Sequence, residues 1–110
     1  MTPQFNKLSL LAALKPKTVQ VLVEGFGDVG IVQLTVSEVD ALRATLKKED
    51  KVDQFGLHLV QLSVVDPNGA CVFDESDLAD LQGSSNAAMD GLVSKALETN
   101  GFKKAADSKN

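Results

Sequence analysis

Side chains able to act as nucleophiles, bases or metal ligands are few in this sequence and stand apart. His58 is the single histidine and Cys71 the single cysteine in 110 residues. A catalytic base or zinc site needs further ligands at defined spacing, and none flanks His58. Only the fold could bring distant partners together. We predict a non-enzyme without cofactor or metal, with His58 on a strand and Cys71 buried as a small hydrophobic residue.

One stretch of the chain is rich in carboxylate and amide oxygens: Asp66, Asn68, Asp74, Glu75 and Asp77. An EF-hand would need another Asp or Asn before Gly69 and a Glu six residues after it. The sequence from Asp66 to Gly69 is instead typical of a reverse turn, and Asp74 of a helix cap. The alternative is an enzyme or calcium-regulated module built around Asp66, Asp74 and Asp77, whose melting temperature would change with calcium.

A glycine string, Gly25, Gly27 and Gly30, matches the spacing of dinucleotide-binding loops. Such a loop must open a helix whose N-terminus faces a pyrophosphate. Here the glycines lie between two segments with strand-like alternation. We therefore predict a hairpin loop.

The first half of the chain predicts a helix, a hairpin and a second helix. Apolar residues three apart favour a helix over 4–14, ended by Pro16. Alternation from Thr18 to Val23 and a second run from Val29 to Val36 predict an antiparallel hairpin. Ser37 is expected to cap a helix that ends at Lys48.

The second half predicts another hairpin followed by helices. Alternation over 57–64 favours a long strand, although a helix over 55–62 remains an alternative. With a short return strand over 70–73, residues 55–73 would form the second hairpin. Asp74 is expected to cap a short helix over 75–81, and Ser84 or Ser85 a longer one over 86–99, with Phe102 packing back after Gly101. The predicted fold is α+β: a small antiparallel sheet of two hairpins with the C-terminal helices packed on one face.

Length and charge limit the classes of function. The chain supports a single domain, predicted over 1–102, with a flexible tail over 103–110. A net charge of −4 disfavours nucleic acid as a partner. The apolar run Leu8–Leu14 is too short to span a bilayer and lacks a signal-peptide layout, and a lone cysteine fits a reducing compartment.

Two apolar surfaces are candidates for binding another protein. One is the amphipathic segment that carries Leu8 and Leu11; the other is the broad apolar face of the last helix, with Met89, Leu92 and Val93. The open edge of the first hairpin is a further possibility, for strand addition. Each of these features has an alternative role in the core.

The order of the segments resembles one family, the tail assembly chaperones of long-tailed bacteriophages, over nearly the whole chain. The matching segments are Leu10–Ala13, Val21–Gly27, Leu34–Leu42, Val64–Gly69, Val72–Leu78 and Leu97–Gly101. Family members often carry Trp where Phe26 stands here, and Asp or Glu where Pro67 stands.

This resemblance implies a non-catalytic protein that binds the tape measure protein, keeps it soluble and promotes assembly of the tail tube. The tail tube protein would be a second partner, and self-association is left open. The chain would act in the host cytoplasm and be absent from the mature virion. The alternative is a structural tail or head-tail connector component that remains in the particle.

Overall fold

Residues 5–102, which are those that the structure describes, form five α-helices and one small antiparallel sheet in this computed structural model. The elements are α1 (Lys7–Ala13), β1 (Thr18–Val23), β2 (Gly27–Val32), α2 (Val36–Lys48), α3 (Phe55–Ser63), β3 (Val64–Val65), α4 (Leu78–Gln82) and α5 (Asn86–Thr99), with 3₁₀ turns at Val52–Gln54 and Glu75–Asp77. The α+β prediction is confirmed. The predicted tail over 103–110 and the start of the first helix at residue 4 lie outside the described residues.

The first hairpin is confirmed and forms most of the sheet. Strands β1 and β2 pair antiparallel from Thr18↔Val32 to Val23↔Gly27. Gly25 and Gly27 have φ of +87° and +126°, which only glycine adopts readily, so these two glycines make the tight turn. Strand β2 ends at Val32, four residues earlier than predicted.

Helix α2 begins two residues earlier than predicted because Thr35, not Ser37, is its N-cap. The Thr35 hydroxyl accepts a hydrogen bond from the Glu38 backbone N–H at 3.1 Å. The Glu38 carboxylate accepts one from the Thr35 N–H at 2.8 Å. This reciprocal capping box satisfies two donors at once, an advantage that Ser37 lacks.

The predicted long strand over 57–64 is wrong, and the helical alternative is correct. Helix α3 occupies Phe55–Ser63, and β3 pairs only at Gly30↔Val65 and Ile31↔Val64. An isolated bridge between Val65 and Cys71 stands in place of the second hairpin. The turn between them is confirmed: the Gly69 N–H donates to the Asp66 C=O at 2.8 Å.

The core lies where α3 and α5 meet the sheet. Ile31, Leu59, Val60, Val64 and Ala96 are all buried and form one cluster. The predicted helix over 86–99 is confirmed, with Ser85 as its cap. Its end is fixed as predicted: the Phe102 N–H donates to the Leu97 C=O at 2.8 Å, and the Phe102 ring meets Phe55 edge-on at 5.3 Å.

The end of α5 is also tied to the loop before α2. The Leu34 N–H donates to the Asn100 side-chain oxygen at 2.7 Å, and the Gln33 side-chain amide donates to the Thr99 C=O at 3.2 Å.

No helix within residues 5–102 is long and apolar enough to cross a membrane.

Candidate protein-binding surface

The residues with the most reactive side chains are dispersed over the fold. His58 lies on α3 rather than on a strand and faces a shallow cleft of about 540 Å³ shared with Glu38, Glu49 and Glu75. Cys71 is exposed rather than buried as predicted, because the segment after the turn makes a single bridge and not a full strand. Within residues 5–102 no group of three or more His, Cys, Asp or Glu side chains is placed to hold a metal ion.

The acidic residues of the oxygen-rich stretch hold the local backbone. The Asp66 carboxylate accepts hydrogen bonds from the N–H groups of Asn68 and Ala70 at 2.8 and 3.0 Å. Asp74 caps the following 3₁₀ turn, as predicted, and Asp77 completes a capping box with it. Hydrogen bonds from the hydroxyl and backbone N–H of Ser76 lower the pKa of the Asp74 carboxyl below its ordinary value.

The most exposed apolar feature is the N-terminal segment, residues 5–14, which includes α1. None of the α1 residues is buried. Phe5, Leu8 and Leu14 are 81%, 74% and 69% exposed, and Leu10 and Leu11 are also exposed. Large aliphatic side chains that recur along one short segment without a partner are typical of a protein-binding site.

The local sequence explains why this segment is helical but gains nothing from packing. Asn6 caps α1, its side-chain oxygen accepting from the Ser9 N–H at 3.1 Å. Lys15-Pro16-Lys17 then ends the helix, as predicted, because proline cannot continue it. A helix of seven residues is marginal in water by itself, so contact with a partner would supply most of its stability.

A second surface is a groove of about 340 Å³ between β1 and α5, which we call the β1–α5 groove. Its lining comprises Val21, Leu22, Val23 and Glu24 on the strand side and Ala87, Ala88, Gly91, Leu92 and Lys95 on the helix side. Three of the five helix-side residues are small, and a Cβ on Gly91 would meet no neighbouring atom within 4 Å. The groove can therefore accept side chains from another segment.

Comparison with protein-family models, with curated proteins and with solved structures gives no match for this chain.

The five residues predicted to contact a partner occupy two different environments. Leu8 and Leu11 lie on the exposed N-terminal segment. Met89, Leu92 and Val93 are partly buried against the core, and Leu92 also lines the β1–α5 groove. Val93 packs so closely on α3 that a Cβ on Gly56 would lie 2.6 Å from its Cγ1.

Two other exposed apolar residues were not among those predicted from the sequence to contact a partner. Leu22 and Phe26, on the edge strand and at the tip of the hairpin, are 74% and 77% exposed. The only sequence signal for the groove is the spacing of Ala87, Ala88 and Gly91, which places small residues on one side of α5. The alternation of side chains along β1 identifies the two faces of the strand, but it does not show which face packs against α5.

Charge is distributed unevenly between the N-terminal segment, taken together with the Lys15-Pro16-Lys17 sequence that follows it, and the rest of the described fold. Residues 5–17 contain Lys7, Lys15 and Lys17 and no acidic residue, a net charge of +3. Residues 18–102 contain fourteen acidic and five basic residues, a net charge of −9. The exposed apolar segment therefore belongs to a basic stretch of chain, whereas residues 18–102 taken together are acidic.

Proposed function

We propose that this chain is a tail assembly chaperone of a long-tailed bacteriophage, which binds the tape measure protein, keeps it soluble and promotes assembly of the tail tube around it. The observation that carries the proposal is the unburied apolar N-terminal segment on a small acidic domain. The proposed chaperone acts in the host cytoplasm without catalysing a reaction and is absent from the finished particle.

The physical demands of such a client match the surfaces of this chain. A tape measure protein presents long apolar helices, which associate with one another unless a partner covers them. Full burial of one exposed leucine contributes about 1.5–3 kcal/mol to binding, so Leu8, Leu11 and Leu14 together supply a substantial contact. Residues 18–102, which we call the acidic body, carry a net charge of −9 and keep the resulting complexes soluble because the complexes repel one another.

The exposed Phe26 extends the proposed contact surface. It stands at the tip of the β1–β2 hairpin, where family members often carry Trp, and is 77% exposed. Aromatic rings combine a large apolar area with few rotatable bonds, which makes them effective binding anchors.

Co-expression with the tape measure protein of the same phage tests the proposal. We expect the tape measure protein to be soluble only when this chain is present, and the two proteins to co-purify. The double variant Leu8→Gln/Leu11→Gln should lose both effects. The matched control, Val36→Gln/Val52→Gln, also replaces two exposed apolar residues but lies outside the N-terminal segment, and it should behave as the parent chain.

Two results would contradict the proposal. One is an insoluble tape measure protein in the presence of the parent chain. The other is this chain at ring stoichiometry in purified virions, as expected of a structural tail or head-tail connector component.

A further inference from the structure

Strand β1 leaves one edge of the sheet open. The strand order is β1-β2-β3, so one side of β1 has no neighbouring strand among the described residues. The Gln33 N–H donates to the Lys17 C=O at 2.8 Å, which makes residue 17 and every second residue after it face β2. The backbone N–H and C=O groups of Thr18, Gln20 and Leu22 therefore point to the open edge.

An open edge of this kind can pair with the same edge of a second copy. In an antiparallel arrangement about a two-fold axis, Gln20 would face Gln20 of the other copy and Thr18 would face Leu22. This register pairs all three outward-facing residues of each copy with one another.

The same register places the N-terminal segment of each copy beside the β1–α5 groove of the other. Because the strands run in opposite directions, residue 17 of one copy lies opposite Val23, and residue 16 opposite Glu24. The N-terminal segment precedes those residues directly, and the groove is lined by Val21 to Glu24 at that end of β1. The open Gly91 side of α5 then lies within reach of α1 from the second copy.

Charge favours this arrangement. Lys15 and Lys17 of one copy would lie on either side of Pro16, the residue opposite Glu24 of the other copy, so the three charged residues would be neighbours at the end of the paired strands. Lys95, the basic residue of the groove, is already paired with Glu98 at 3.7 Å. Residues 5–17, of net charge +3, would thus meet residues 18–102 of the other copy, of net charge −9.

We propose that the chain forms a two-fold dimer in which the β1 strands pair antiparallel and the N-terminal segment of each copy docks into the β1–α5 groove of the other. The dimer gives a partner to each of three features that residues 5–102 of a single chain leave without one: the strand edge, α1 and the groove. The inference does not depend on the proposed function, since its test uses this chain alone.

The mass of the full chain in solution, measured by sedimentation equilibrium over a concentration series, tests the proposal. We expect a monomer–dimer equilibrium. Gln20→Pro removes the N–H at the axis and should weaken the dimer about tenfold or more, whereas Gln20→Thr keeps that N–H and should have little effect. A thermal melt of each variant checks that the monomer still folds.

A charge-reversal pair tests the position of the N-terminal segment without altering the strand. Glu24→Lys places three lysines together and should weaken the dimer, and adding Lys15→Glu and Lys17→Glu to it should restore the affinity. Persistent monomers at every concentration would overturn the proposal, as would a dimer unaffected by Gln20→Pro or a charge reversal without rescue. Monomers in which α1 is protected would assign the groove to the chain's own segment instead.

Discussion

At the scale of single residues, the Asp74 cap is the clearest case of tuned electrostatics in the fold. Its pKa lies below the ordinary value of 3.8, first because the Ser76 hydroxyl donates to it and then because the Ser76 N–H does. A depressed folded-state pKa means that the ionised cap stabilises the fold above pH 3.8 and that this contribution is lost as pH falls through the folded value.

Ser76→Ala removes the hydroxyl donor and keeps the backbone donor. We therefore predict that the Asp74 pKa rises towards 3.8 without reaching it, as measured by NMR titration of the carboxyl carbon. The parent chain, titrated under the same conditions, serves as the control. An unchanged Asp74 titration would show that the hydroxyl does not contribute.

Truncation of a leucine should destabilise the fold strongly in the core and hardly at all on the N-terminal segment. Leu59 is fully buried, so Leu59→Ala should lower the free energy of unfolding by about 2–5 kcal/mol. Leu8 is 74% exposed, so Leu8→Ala should change it by less than about 0.5 kcal/mol in the monomer. Urea denaturation of both variants measures the difference, and an equally large loss for Leu8→Ala would place Leu8 in the core.

Residue-level signals predicted most of the caps and turns because these depend on local chemistry. Asp74, Ser85 and the turn at Gly69 follow from side chains within a few positions of each other. The wrong prediction of Ser37 as the N-cap of α2 is also explained by local chemistry. Thr35 and Glu38 hydrogen-bond each other's backbone N–H groups, and this capping box stabilises the helix start more than Ser37 would.

At the scale of elements, two glycines in helices give a matched pair. A Cβ on Gly56 would lie 2.6 Å from Val93 Cγ1, and valine has little freedom at χ1 to move away. The clash in Gly56→Ala should therefore destabilise the fold by about 1–3 kcal/mol. The higher helix propensity of alanine offsets part of this loss. Gly91→Ala meets nothing within 4 Å and should stabilise α5 by about 0.5–1 kcal/mol.

Urea denaturation at a concentration that keeps the chain monomeric compares the two variants. If both substitutions changed the free energy of unfolding equally, α3 and α5 would be able to move apart and admit the methyl group at position 56.

Helix α3 could not be assigned from the sequence because apolar residues occupy too many of its positions. A helix enclosed on several sides loses the single apolar stripe by which helices are recognised, and a buried strand gives a similar run. Leu59, Val60 and Ser63 are all buried here, around α3 rather than on alternate faces of a strand. Only the packing against α5 and the sheet decides between the two readings.

Across the whole molecule, the exposed apolar residues of the N-terminal segment lie in a basic stretch and the rest of the described fold is acidic. This difference links the proposed chaperone function with the proposed dimer. The sequence predicted that Leu8 and Leu11 contact a partner, because their spacing is local, and in the structure both side chains are exposed. It could not reveal the β1–α5 groove, whose two walls are more than sixty residues apart in the chain. In the dimer, α1 would be covered by the acidic body of the other copy, and a client helix that binds α1 must first displace it.

Hydrogen exchange of the α1 amides follows from that competition. A seven-residue helix without buried side chains should exchange its amides rapidly in the monomer. We predict that protection of residues 9–13 rises with chain concentration as the dimer forms, and falls again in Glu24→Lys. The α3 amides, held in the core, should stay protected throughout and serve as the control. Protection of α1 that is independent of concentration would mean that α1 docks on its own chain, whereas a dimer with unprotected α1 would place the contact on the β1 edge alone.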